Sequence, residues 1–215
     1  MRRTTSRPVG LFDSEGHAML FISKQGHVDA ECIKLKIFPM IERGPMVKVN
    51  GIVVHQTDAT TAASSFNSYA ENGANGAHFL IDKNGTIYQT ASVYKRTNHV
   101  GLLKSRCLMK RKCSPSEFKR VSDMKGKYAK LSRWEHGKSF PDRYPGNVDS
   151  IGIEIVGRMD RKTEIYEAVN ERQNESLKWL VKELCVTLGI SFAEIYRHPE
   201  VSYKMETEAR TAKWD

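Results

Sequence analysis

The stretch Gly51-Ile-Val-Val-His-Gln-Thr-Asp58 constrains this chain more than any other. Three apolar residues run straight into a histidine, and a polar run with helix-start character follows. That pattern predicts a buried strand that delivers His55 to its carboxyl edge, the edge of an open sheet where ligands and chemistry gather. A lone histidine after an apolar run is most often a satisfied core residue. A functional reading of His55 therefore depends on partners elsewhere in the chain.

The elements after it alternate in kind. Asp58–Tyr69 reads as a helix capped by Asp or Thr, and Asn72-Gly-Ala-Asn-Gly76 breaks it. Ala77–Ile81 and Thr86–Thr90 read as strands joined by the turn Asp82-Lys-Asn-Gly85, where Asn-Gly suits positive φ. Ser150–Gly157 is an apolar strand with one acid inside it. From Glu171 to Leu188, Leu177, Leu180, Val181, Leu184, Cys185 and Leu188 recur at helical spacing, and Gly189 stops the helix. The order predicts an α/β fold, a mixed central β-sheet flanked by helices. It spans residues 49–215, behind a β-rich extension over 1–48. Within that extension Ala18–Ile22 and Glu31–Phe38 read as short strands, serving an extra sheet or a surface cover, with His17 and His27 on the surface.

Residues 102–147 break the pattern. They are basic and polar, with Tyr128 and Trp134 interleaved, and show no clear period. A segment of this length suits either a basic lid over an anionic substrate or a solvated insertion. The whole chain carries 34 Lys+Arg against 25 Asp+Glu, a net +9. Nucleic acid, a lipid surface and an acidic wall polymer all match that charge. No nucleic-acid recognition motif is present, so no specific nucleic-acid partner is expected. No apolar run is long enough to span a bilayer, and none reads as a secretory signal. The four cysteines form no CxxC pair. Cys185 reads as core, and Cys107 with Cys113 are close enough to pair in an oxidising compartment.

The chemistry-bearing residues cluster late. His198 ends the segment Ala193-Glu-Ile-Tyr-Arg-His198, as His55 ends its own. A catalytic zinc takes three protein ligands from imidazole and carboxylate and keeps one position open. Glu206 and Glu208, on the polar loop after His198, are candidates for the third. Glu154 interrupts Ile151-Gly-Ile-Glu-Ile-Val156. An ionised carboxylate on a buried face is costly unless paired, so Glu154 either faces solvent or serves as a general base of raised pKa. Lys204 is a cation suited to stabilising an oxyanion.

Five segments in order carry a family resemblance. Val53-Val-His-Gln-Thr57, Ala77–Gln89, Thr97-Asn-His-Val-Gly101, Asn147–Gly157 and Arg197-His-Pro-Glu-Val-Ser202 resemble the successive motifs of the N-acetylmuramoyl-L-alanine amidase type 2 family. That family shares its fold with peptidoglycan recognition proteins and T7-type phage lysozyme. The resemblance covers about residues 50–212. It implies a Zn2+ hydrolase that cuts the amide between the lactyl group of N-acetylmuramic acid and L-alanine of the stem peptide. His55 and His198 match its zinc histidines. The third ligand, normally Asp or Cys before Pro-Gly, has no such match here. The family's Lys-x-ligand spacing favours Glu206, and aligning Thr207-Glu208 with its Thr-Asp favours Glu208, the first choice. Ala77 stands where some members carry a tyrosine, so the chain resembles the Glu-dependent type, with Glu154 as base. Lys204 matches the catalytic lysine, His99 matches a histidine of the substrate groove, and His78 is taken as structural.

The resemblance also frames the partners and setting. Peptidoglycan or muropeptides are the expected substrate, and a non-catalytic peptidoglycan-binding module is the alternative. Synthesis in the cytoplasm and action in the periplasm or cell wall are expected. A phage lysin, a recycling enzyme and a secreted antibacterial toxin, the last with an immunity or delivery protein, all suit these features.

Overall fold

The computed structural model describes residues 20–215. The basic start Met1–Pro8, His17 and the first two residues of the Ala18–Ile22 run lie outside the described residues. In chain order, β1 (Phe21–Ile22) and β2 (Val28–Asp29) precede β3 (Ile33–Leu35), a 3-10 turn, and β4 (Glu42–Pro45). Then come β5 (Gly51–Gln56), α1 (Ala62–Tyr69), β6 (Phe79–Ile81), β7 (Ile87–Gln89) and β8 (Lys95–Thr97). The basic segment holds α2 (Arg106–Met109), α3 (Pro115–Ser122) and α4 (Tyr128–His136). β9 (Ser150–Ile155), β10 (Met159–Asp160), β11 (Ile165–Tyr166), α5 (Glu171–Leu188), β12 (Ile195–Arg197) and α6 (His198–Val201) complete the chain.

The central sheet has six strands in the order β12-β5-β9-β6-β7-β3. The neighbours β12, β5, β9 and β6 run parallel, β7 runs antiparallel to β6, and β3 is parallel to β7. It is the mixed sheet that the element order predicts. Of the N-terminal strands, β1–β2 and β4–β8 form small separate pairs, but β3 is the edge strand of the main sheet.

Strand alternation divides this sheet into two faces. On one face Ile52, Val54, Phe79, Ile81, Ile151, Ile153 and Ile155 pack against Leu177, Leu180, Val181 and Leu184 of α5. Each side chain so buried contributes about 1.5–3 kcal/mol. The helix that covers this face is well bounded. Asn170 accepts from the Gln173 amide at 3.0 Å, the Asn170 amide donates to Gln173 Oε1 at 3.2 Å, and Gly189 ends it at φ 66°. The other face carries Val53 and His55 on β5, Gly152 and Glu154 on β9, and Leu80 on β6.

The basic segment is helical where the sequence shows no period. Ser114 caps α3 by accepting from the Glu117 amide at 3.3 Å, and Pro115 sits in its first turn. Val121, Met124 and Leu131 form a small core of their own, with Cys107, Trp134 and Tyr203 against it. Cys107 and Cys113 form a disulfide, while Cys32 and Cys185 are free. The segment is tied to the body at its root. Leu103 bridges Ser202, and Arg106 grips Glu194 through two bonds of 2.6 and 2.9 Å. None of the helices is long and apolar enough to cross a membrane among the described residues.

Candidate metal centre

Neighbouring parallel strands bring the two histidines together. β5 delivers His55 near its carboxyl end, and β12, beside it in the sheet, runs directly into His198 at the start of α6. Their ring centroids lie 4.1 Å apart. The loop after α6 returns Glu208 to both: its Oε1 stands 2.9 Å from His198 Nδ1 and 3.5 Å from His55 Nδ1. All three residues are buried, and their ligand atoms lie within 4.8 Å of one another. Glu206, the other candidate for this place, turns outward. Its side chain is 81% exposed and lies 3.4 Å from Lys104 Nζ.

Hydrogen bonds fix which imidazole nitrogen faces the group. Ser150 Oγ donates to the Gly146 carbonyl at 2.7 Å, so it accepts from His99 Nε2 at 3.2 Å. His99 Nδ1 is then an acceptor, and His55 Nε2 donates to it at 3.0 Å. His198 Nε2 donates to the Val100 carbonyl at 2.8 Å. Both histidines thus spend their N–H outward and turn a bare Nδ1 lone pair toward Glu208. Burial, with His198 beside it, lowers His55 to about 4, against the opposing pull of Glu208. Burial would raise Glu208, but His198 and His55 outweigh it and hold the carboxyl at about 2. At neutral pH His55 is therefore neutral and Glu208 ionised, with His198 Nδ1 turned toward the same carboxylate. That donor set suits a divalent cation. Tetrahedral zinc with bonds of 2.0–2.2 Å would separate its ligand atoms by about 3.3–3.6 Å, against 2.9 and 3.5 Å from Glu208 Oε1 to the two Nδ1 atoms here. A ligand histidine whose other nitrogen donates to a carbonyl or a further acceptor is the usual supporting arrangement. A second cluster of metal-type side chains among the described residues, Cys107, Cys113 and Glu117, has its two sulfurs joined in the disulfide.

His99 sits where a glycine leaves room for it. A Cβ on Gly152 would lie 2.8 Å from the His99 ring. Asn147 Oδ1 accepts from the amides of His99 and Val100, at 3.0 and 2.8 Å, and so sets both His99 and the carbonyl that orients His198. Burial and the neighbouring imidazoles of His55, His78 and His198 hold His99 well below its usual range, hence neutral. His78 lies beneath it. Its Nε2 donates to the Lys95 carbonyl at 2.8 Å and its Nδ1 accepts from the Gly152 amide at 3.0 Å, a bracing role with no nitrogen left over.

Glu154 is the Cα partner of His55 across the β5–β9 pair, so the two side chains share a face. Burial raises its carboxyl to about 6, partly offset by a hydrogen bond from the Tyr69 hydroxyl. Tyr69 is the last residue of α1 and itself buried, with its phenol pushed well above the ordinary range by burial and by Glu154. Nothing in the sequence motifs singles out Tyr69. Its signal was the inward spacing of Ala62, Ser65 and Tyr69 on α1, a helix face that ends in a hydroxyl. His55, His99, Glu154, His198, Lys204 and Glu208 all line one open cleft of about 710 Å³. Lys204 is exposed on its rim.

Comparison with known proteins bears on this arrangement. The family model Amidase_2, described as N-acetylmuramoyl-L-alanine amidase, matches residues 45–215. No curated protein matches the chain. Among solved structures, AmpD, as a selenomethionine derivative, is 16% identical with a TM-score of 0.54, over 91% of this chain and 96% of that one. The N-acetylmuramoyl-L-alanine amidase LysC from Clostridium intestinale is 18% identical with a TM-score of 0.46, over 80% of this chain and 85% of that one. Peptidoglycan recognition protein SD from Drosophila is 14% identical with a TM-score of 0.46, over 85% and 91%. At 16% identity the likeness to AmpD speaks for the fold alone, and the family match spans β5 to α6, the cleft and the loop that carries Glu208. The chain belongs to the N-acetylmuramoyl-L-alanine amidase family, Amidase_2.

Proposed function

We propose that this protein is a zinc-dependent peptidoglycan amidase that hydrolyses the bond between the lactyl group of N-acetylmuramic acid and L-alanine of the stem peptide. The observation that carries the reading is the convergence of His55, His198 and Glu208, lone pairs inward, with Glu154 on the adjacent strand. Zinc held by those three residues would supply Lewis-acid polarisation and a water of lowered pKa.

The chain's own groups account for the proton transfers. Glu154, raised to about 6, is ionised at neutral pH yet basic enough to take a proton from the attacking water. The same carboxyl, once protonated, returns that proton to the leaving amine of L-alanine. Tyr69 holds Glu154 in place and favours its ionised form. Lys204 on the rim meets the developing oxyanion. His99 keeps His55 in the tautomer that turns Nδ1 inward and lines the substrate cleft beside it. The disulfide Cys107–Cys113 supports action in an oxidising compartment such as the periplasm or the wall.

Purified peptidoglycan digested with the protein, with and without a chelator, tests the reading by mass spectrometry of the products. Stem peptides with a free L-alanine amino group, lost on chelation and restored by zinc, are expected. Intact muropeptides under every condition would leave a wall-binding module in its place.

A further inference from the structure

All of the net charge of this protein lies in one segment. Residues 102–147 hold 13 Lys+Arg against 4 Asp+Glu, a net +9, while the other 169 residues hold 21 of each sign. The inward-facing cations are already matched: Arg106 by Glu194, Lys138 by Glu117 and Glu135, Arg143 by Asp149. The outward ones, among them Arg111, Lys112, Lys119 and Arg120, have no ion-pair partner among the described residues. The same surface shows apolar side chains to solvent. Leu108 is 36% exposed, Met109 48% and Phe118 54%.

These features meet in the loop Cys107-Leu-Met-Lys-Arg-Lys-Cys113. The disulfide closes it, with the two Cα atoms 4.6 Å apart, so Leu108 to Lys112 project as a covalently bounded knuckle. All five of those residues are exposed, and Phe118 follows on the next helix. Lys110 and Lys112 also reach the rim of a cleft of about 760 Å³ beside the knuckle, whose inner wall carries the paired Arg106–Glu194 and Lys138–Glu117. A nucleic acid or phosphodiester polymer would satisfy the cations but offers exposed Leu and Met no apolar phase. A bilayer of anionic lipid offers both: phosphate headgroups for lysine and arginine, and an acyl boundary for leucine, methionine and phenylalanine.

We propose that the outer face of residues 102–147 docks on an anionic phospholipid membrane, with Leu108 and Met109 entering the headgroup–acyl boundary and Lys110, Arg111 and Lys112 binding the headgroups. Because the loop is closed before it meets the membrane, little further ordering is needed on binding. The root of the segment is bonded to Ser202, just past α6, which ties the docking face to the body of the protein. The proposal does not depend on amide hydrolysis.

Co-sedimentation of the full chain with vesicles tests it, in the absence of peptidoglycan and at physiological salt. Vesicles of phosphatidylcholine containing phosphatidylglycerol should pull the protein down, and vesicles of phosphatidylcholine alone should bind at least about tenfold less. The double variant Leu108→Ser/Met109→Ser keeps every charge and should bind roughly tenfold more weakly. Lys110→Glu/Arg111→Glu should lose on the order of 10²-fold. All four positions are exposed, and an unchanged melting curve confirms that each variant folds. Failure of the wild type to bind the anionic vesicles, or equal binding to neutral ones, overturns the proposal. Undiminished binding by the serine variant also overturns it and reassigns the face to a polyanion such as nucleic acid.

Discussion

The Tyr69 hydroxyl, at the end of α1, donates a hydrogen bond to Glu154 Oε2 on the central strand β9. It ties the carboxylate opposite His55 to an element on the site face. The bond lowers a pKa that burial raises, and the balance leaves it at about 6. Activity that needs ionised Glu154 should therefore rise with pH through about 6. Tyr69→Phe removes the lowering influence, so the acid limb of the kcat/KM profile should move to higher pH, with metal content unchanged. A profile that stays in place separates Tyr69 from the base.

Glu154→Gln should slow turnover by about 10²–10⁴-fold while metal stays bound, measured by release of stem peptides. It should also stabilise the fold at neutral pH. A carboxyl whose folded pKa is raised loses stability as pH climbs from its unfolded value through about 6. The neutral amide avoids that loss, so thermal melts should favour the variant by about 1–2 kcal/mol at pH above that range and not below it.

Removing zinc should cost stability as well as activity. At metal about 1,000-fold above its Kd, binding contributes about 4 kcal/mol, so a chelator should lower Tm in wild type. His55→Ala and Glu208→Gln should purify without stoichiometric zinc and show no such drop. Full zinc in Glu208→Gln would return the third place to another residue.

His99→Ala should weaken zinc by about 10–100-fold through His55, whose Nε2–H loses its acceptor. Gly152→Ala should act in the same direction without touching the imidazole chemistry, because its Cβ would press on the His99 ring at 2.8 Å. Metal titration of both variants checks this. Unaltered affinity in both would confine His99 to the cleft wall.

Much of this was legible in the chain. β5 and β9 announce themselves as apolar runs, and α5 by its spacing and its terminal Gly189, because each buries a continuous face in one core. The convergence of His55 and His198 followed from their places at strand ends. The helices of the basic segment were not legible: α2, α3 and α4 are short, and the apolar residues they bury are Val121 and Leu131, too few for a period to show. Tyr69 was hidden because its partner lies 85 residues away. The link from His99 to His55 was hidden likewise, since which nitrogen faces which neighbour depends on Ser150, Gly146 and the space at Gly152.

The register of β5 against β9 has a consequence for quality control. A slip of one residue would set Ile153 or Ile155 opposite His55 and swing Glu154 into the packing against α5, stranding a charge in oil. The misthreaded chain would lose the pairing of Glu154 with His55 and its stability in one event. The core that rewards the correct threading thus also selects the arrangement that sets Glu154 opposite His55, so a durable copy is one with its cleft assembled.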